Sequence, residues 1–142
     1  MRITESVYKR MVNSPPCPPE TGGILGGNHG VITHIVTDRG LGDYDRYVPD
    51  TSYLNRVIIQ WAEHGISFMG IYHTHFNNDI GLSHGDKRYI SVIMDGTSDE
   101  SVLYFPIVLP GKSVIAYRAE KNVELSVIRE KAEIIKGGET NE

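Results

Sequence analysis

The seven residues Ile66 to Tyr72 (ISFMGIY) form a nearly unbroken apolar run. A strand of that composition is buried on both faces, so its sheet must be covered by further layers on each side. The neighbouring sequence supplies those layers. Just upstream, Asp50 is a helix cap, Leu54, Val57, Ile58 and Trp61 recur at helical spacing, and Gly65 is a stop. Downstream, the loop Phe76–Leu82 leads to a helix beginning at Ser83, with Tyr89, Ile90, Ile93 and Met94 facing inward. A first helix runs from a Thr4 cap to about Val12, and Ile3 and Tyr8 occupy hydrophobic-staple positions.

The segments between these elements read as strands and turns. Pro15-Pro16-Cys17-Pro18-Pro19 excludes helix, because each proline biases its predecessor to extended geometry. Gly22–Gly27 and Val31–Val36 are two antiparallel strands joined by Asn28-His29-Gly30, and residues 37–49 form a surface loop. Strands at about 101–109 and 113–119 flank Pro110-Gly111-Lys112, with Pro106 marking an edge or a bulge. Val123, Leu125 and Val127 alternate as in a strand, whereas Leu125, Ile128 and Ile135 also fit a helix, so both readings stand. The order predicts an α/β (α+β) fold, a mixed β-sheet with helices packed on its faces. One domain over residues 1–135 and a disordered tail at 136–142 are expected.

Composition excludes several function classes. Fourteen basic against eighteen acidic residues give a formal charge of −4, which argues against a nucleic-acid partner. No apolar run approaches the roughly 18 residues of a membrane span, and the charged N-terminal segment has no signal-peptide core. The single cysteine, Cys17, rules out an internal disulfide framework and points to a reducing, cytoplasmic compartment.

The chemistry concentrates in His73-Thr74-His75, Ser83 and Asp86. Residues two apart in a strand face the same way, about 7 Å apart at the backbone, so two imidazoles can converge on one ion. Asp86 falls in the first turn of the following helix, where the dipole favours its ionised form. Two histidines and a carboxylate leave the fourth tetrahedral position open, as catalytic zinc requires. His-x-His alone arises about 0.25 times by chance with six histidines in 142 residues, and Ser83-x-x-Asp86 alone fits a capping box. The complete spacing His-x-His-x7-Ser-x2-Asp is far rarer, at roughly 0.001 per chain of this composition.

That spacing resembles, residue for residue, the signature of the JAMM (JAB/MPN) metalloproteases. Glu20-Thr21-Gly22-Gly23-Ile24-Leu25-Gly26-Gly27 is similar to the glutamate-bearing segment upstream of that signature. The resemblance covers about residues 5–120 and is to the short, single-domain prokaryotic branch. It implies a cytidine-deaminase-like, three-layer fold and a zinc-dependent peptidase or isopeptidase. By the same resemblance His73, His75 and Asp86 bind one Zn2+, Glu20 is the general base and acid, and Ser83 stabilises the oxyanion. Substrates would be peptide or isopeptide bonds at the C-terminus of a ubiquitin-like or sulfur-carrier protein. Gly22 and Gly23, lacking a Cβ, would let an extended substrate approach, and Phe76 would contact it. Phe76 and Leu82 stand where many members carry proline, which leaves the groove's shape open but not the ligands.

Two other functions compete. A non-catalytic scaffold of the same family would lack ligands, yet the full set is present here. A zinc deaminase needs His-x-Glu and Pro-Cys-x-x-Cys, which one cysteine cannot supply. Cys17 as a protease nucleophile and the glycine pairs as a phosphate loop are set aside, the latter because Gly-x-x-x-x-Gly-Lys-Ser/Thr is absent.

Overall fold

Nine strands and three helices make up the described residues of the computed structural model, which are 1–41, 46–76, 78–97 and 101–136. In chain order they are β1 (Arg2–Thr4), α1 (Glu5–Val12), β2 (Gly22–Asn28), β3 (Val31–Asp38), α2 (Thr51–Glu63), β4 (Ser67–Thr74), α3 (His84–Asp95), β5 (Val102–Tyr104), β6 (Ile107–Leu109), β7 (Ser113–Lys121), β8 (Leu125–Glu130) and β9 (Glu133–Ile135). The fold is mixed α+β around one large mixed sheet, ordered β5-β7-β6-β4-β2-β3-β1-β9 with β8 on β7. Among the described residues, no helix is long and apolar enough to cross a membrane.

The apolar run does lie at the centre. Strand β4 pairs antiparallel with β2 on one side and parallel with β5 and β6 on the other. Its successive residues feed two cores. Tyr72 packs with Val7, Met11 and Leu25 beneath α1, while Ile71 packs with Ile24, Trp61 and Ile90 beneath α2 and α3. Helix caps fall where the sequence places them. Thr4, Asp50 and Ser83 accept the backbone N–H groups of Val7, Tyr53 and Asp86, satisfying donors that a helix start leaves orphaned. The β2–β3 hairpin turns through His29 (φ 54) and Gly30 (φ 75), both left-handed, as a tight two-residue turn requires.

Four features differ from the sequence reading. Arg2–Thr4 is a short strand before the first helix, because its backbone finds partners in both β3 and β9. The expected strand at 101–109 divides at Pro106, which has no N–H for a ladder, into β5 and β6. The open choice at 123–135 resolves as two strands, β8 antiparallel to β7 and β9 parallel to β1. The loop expected at 37–49 begins later, since β3 continues to Asp38; its residues 42–45, and 137–142 of the expected tail, lie outside the described residues.

Candidate metal centre

The site is built where β4 ends. His73 and His75 sit two apart and direct their backbone N–H groups toward the β6 side, to Pro106 O (3.2 Å) and Val108 O (3.0 Å). Thr74 between them faces β2, donating its N–H to Thr21 O (2.8 Å) and accepting Thr21 N–H on its hydroxyl (2.9 Å). This alternation brings the two imidazoles together, with Nε2 atoms 2.7 Å apart and both rings buried.

Helix α3 supplies the third group. Asp86 occupies its first turn, with Oδ1 3.2 Å from His73 Nε2 and Oδ2 3.3 Å from His75 Nε2. The same carboxylate accepts the Ser83 N–H (2.9 Å) while Ser83 Oγ accepts the Asp86 N–H (3.0 Å), a complete capping box. Burial raises the Asp86 carboxyl, but hydrogen bonds from His73 and His75 and from Ser83 outweigh it and hold the group well below the ordinary carboxylate range. His75 shows the reciprocal effect: burial lowers it, and the bond to Asp86 with its negative charge more than reverses this.

Outward-facing partners orient both rings. His75 Nδ1 lies 3.0 Å from the Asp79 carbonyl, which can only accept, so that nitrogen carries a proton, and once the ring is neutral its Nε2 offers a lone pair inward. His73 Nδ1 lies 3.2 Å from the Tyr89 hydroxyl. Such outward bonds are the arrangement that fixes metal-ligating histidines.

Glu20 enters from the proline-rich segment. Its Oε1 accepts the Tyr47 N–H at 3.1 Å, and ligand atoms of Glu20, His73 and His75 lie within 4.8 Å of one another. These three residues form a cluster able to hold a metal ion. Burial raises the Glu20 pKa, opposed by the two histidines. The donor set suits a divalent cation on physical grounds, because two imidazoles and two carboxylates converge there. Tetrahedral bonds of 2.0–2.1 Å place neighbouring ligand atoms about 3.3 Å apart, and each Nε2 lies at about that distance from a different Asp86 oxygen. The Nε2 pair sits closer than that.

The remaining expected residues fall into two groups. Ser83 is exposed at the α3 start and lines a groove of about 670 Å³ together with Glu20, Tyr47, Phe76 and Arg88. Phe76 and His75 also line a second cleft of about 600 Å³, together with Cys17 and Lys112. Gly22 and Gly23 require a correction. Both are buried, and β2 is paired on both sides, so no extended substrate can add there. A Cβ on Gly22 would lie 2.4 Å from Tyr72 O and 2.7 Å from the Tyr47 ring, and one on Gly23 would lie 2.1 Å from Val36 O. These glycines admit the protein's own backbone and tyrosines. Cys17 places its Sγ 3.4 Å from Thr74 Oγ1, and burial pushes its thiol pKa up, away from an activated nucleophile.

Sequence reasoning missed two contributors. Tyr89 reads as an ordinary inward residue of an amphipathic helix, and Tyr47 lies in a segment without periodicity. Neither carries a local signal of contact with the site.

No family model and no curated protein sequence matches the chain. Solved structures do. The solution structure of a protein from Desulfitobacterium hafniense superposes with a TM-score of 0.68 at 20% identity, covering 98% of this chain and 94% of that one. A solution structure from Salinibacter ruber gives a TM-score of 0.58 at 14% identity, covering 95% and 92%. At such identities the likeness is one of fold: the chain shares nearly its whole architecture with these two bacterial proteins.

Proposed function

We propose that this chain is a zinc-dependent peptidase or isopeptidase of the JAMM type, built on a cytidine-deaminase-like fold. One observation carries the proposal: two histidine Nε2 atoms and both Asp86 oxygens converge beside the Glu20 carboxylate. His73, His75 and Asp86 would hold the ion, leaving Glu20 for proton transfer. Bound there, zinc supplies Lewis acidity that lowers the pKa of water and polarises a carbonyl oxygen.

The chain's own groups perform the remaining steps. Glu20 has one oxygen held by the Tyr47 N–H, so the other takes a proton from the attacking water and returns it to the leaving amine. Ser83 Oγ already accepts the Asp86 N–H, so its own proton is available to the developing oxyanion. Phe76 forms a wall of the groove through which the substrate passes. The substrate class proposed is the C-terminal peptide or isopeptide bond of a ubiquitin-like or sulfur-carrier protein, processed in the cytoplasm.

The test pairs metal analysis with cleavage of ubiquitin-like fusions ending in Gly-Gly. Glu20→Gln should retain one zinc per chain and lose about 10²–10⁴ in rate. His73→Ala should lose both metal and cleavage. Full activity after the metal has been stripped would sink this mechanism. Substoichiometric zinc, with a tight partner and no hydrolysis of any such fusion, would favour a scaffold.

A further inference from the structure

Three residues stand side by side across the sheet next to the metal centre: Asp38 on β3 is in register with Gly22 on β2, and Gly22 with His73 on β4. The Tyr47 side chain lies over the bare glycine between them. Its hydroxyl donates to Asp38 Oδ2 at 2.8 Å, and its ring lies nearly parallel to His73, at 13° and 6.3 Å between centroids. Its backbone N–H is the donor that holds Glu20 Oε1. One residue therefore touches both the general base and a ligand histidine.

Tyr47 belongs to no helix or strand, so its placement depends on ties. Asp38 provides the main one. It is 8% exposed and also accepts the N–H groups of Gly40 (2.9 Å) and Asp50 (3.0 Å), which pins both ends of the loop that carries Tyr47. Leu41 N–H to Val48 O (2.7 Å) closes the loop onto itself. A Cβ at Gly22 or Gly40 would strike the Tyr47 ring at 2.7 or 2.9 Å, so the two glycines form the slot that receives it. A buried carboxyl must find donors, and Asp38 finds all three in this loop, which fixes the loop beside the reacting groups.

We infer that Asp38 and Tyr47 are a positioning pair, in which Asp38 holds Tyr47 so that its N–H aims Glu20 and its ring steadies His73. The inference rests on the peptidase reading and adds to it two residues that are not metal ligands. Small displacements of catalytic groups cost up to about 100-fold in rate.

Tyr47→Phe keeps the ring and the backbone N–H while removing the tie to Asp38. On a Gly-Gly fusion its kcat should fall about 10- to 100-fold, with KM within about two-fold and one metal per chain retained. The absorption bands of the Co(II)-substituted protein should shift, because the ring against His73 has moved. Asp38→Ala removes the acceptor and breaks the same tie from its other end, and it carries the test if Tyr47→Phe does not fold. A variant with lowered Tm but wild-type kcat and wild-type cobalt bands would show a purely structural role and overturn the inference. Should the wild-type protein cleave no fusion, the peptidase reading fails separately. The cobalt bands then decide the positioning alone, and unchanged bands overturn it.

Discussion

Replacing Asp86 by alanine removes two functions that thermal unfolding can separate. The carboxylate closes the capping box with Ser83 at 2.9 Å and faces both histidine Nε2 atoms at 3.2 and 3.3 Å. Loss of a helix cap costs about 1 kcal/mol, and for a domain of this length each kcal/mol moves Tm by roughly 3–4 °C. Ser83→Ala loses the cap and keeps the ligand, so its Tm should fall by about 3–4 °C whether or not zinc is present. Asp86→Ala should fall at least as far without metal. Zinc at about 100 times its Kd adds roughly 2.7 kcal/mol to a protein that binds it only when folded, equivalent to about 8–11 °C here. That gain should be present in the wild type and in Ser83→Ala and absent in Asp86→Ala. The assay is differential scanning fluorimetry of all three proteins with zinc and with chelator. Equal stabilisation of Asp86→Ala and the wild type by zinc would refute the ligand assignment, and so would a wild-type Tm that no divalent cation raises.

Three further perturbations follow from the packing. Tyr117 donates its hydroxyl to Ile80 O at 2.6 Å, which anchors the loop whose Asp79 carbonyl orients His75; Tyr117→Phe should weaken metal affinity about ten-fold, read by chelator competition. Gly70 has φ 154 and would place a Cβ 1.8 Å from the Tyr104 carbonyl oxygen, so Gly70→Ala should destabilise by at least about 3 kcal/mol in urea unfolding. Burial, joined at Tyr47 by the Asp38 carboxyl, raises the phenol pKa values of Tyr47 and Tyr72 above the ordinary value near 10. The folded state then holds protons that the unfolded state releases, so stability is intact below about pH 10 and falls above it by about 1.4 kcal/mol per pH unit for each phenol. Urea midpoints from about pH 9 to 11 should show this decline, shallower in Tyr47→Phe by one phenol's share.

The helices and the central strand were legible because each carries its own signal. Asp50 and Ser83 cap, Gly65 stops, and the residues from Ile66 to Tyr72 are apolar without alternation. The convergence of His73, His75 and Asp86 was legible too, since one strand end and one helix start bring them together. The short strands β1 and β9 were not, because three-residue strands exist only through partners far away in sequence. Gly22 and Gly23 were misread for a related reason. A missing Cβ announces a close approach without saying what approaches, and here it is Tyr47, Tyr72 and neighbouring backbone. Tyr47 itself sits in an aperiodic loop whose importance arises from a sheet register that no local pattern encodes.

Glu20 and the three proposed ligands reach the site over very different lengths of chain. Asp86 follows His73 by 13 residues, whereas Glu20 precedes His73 by 53 and is seated only when β2 pairs with β4 in the register that sets Gly22 opposite His73. Closing the longer loop costs about 1.2 kcal/mol more in chain entropy, before the cost of aligning two strands. On the proposed roles, the ion-holding half can therefore assemble from one contiguous stretch, ahead of the half that moves protons. If His73, His75 and Asp86 hold the ion as proposed, a chain with β2 slipped by a residue would still take up metal and yet leave Glu20 out of reach. On those roles, metal content would report on a strand end and a helix start, and competence on the sheet.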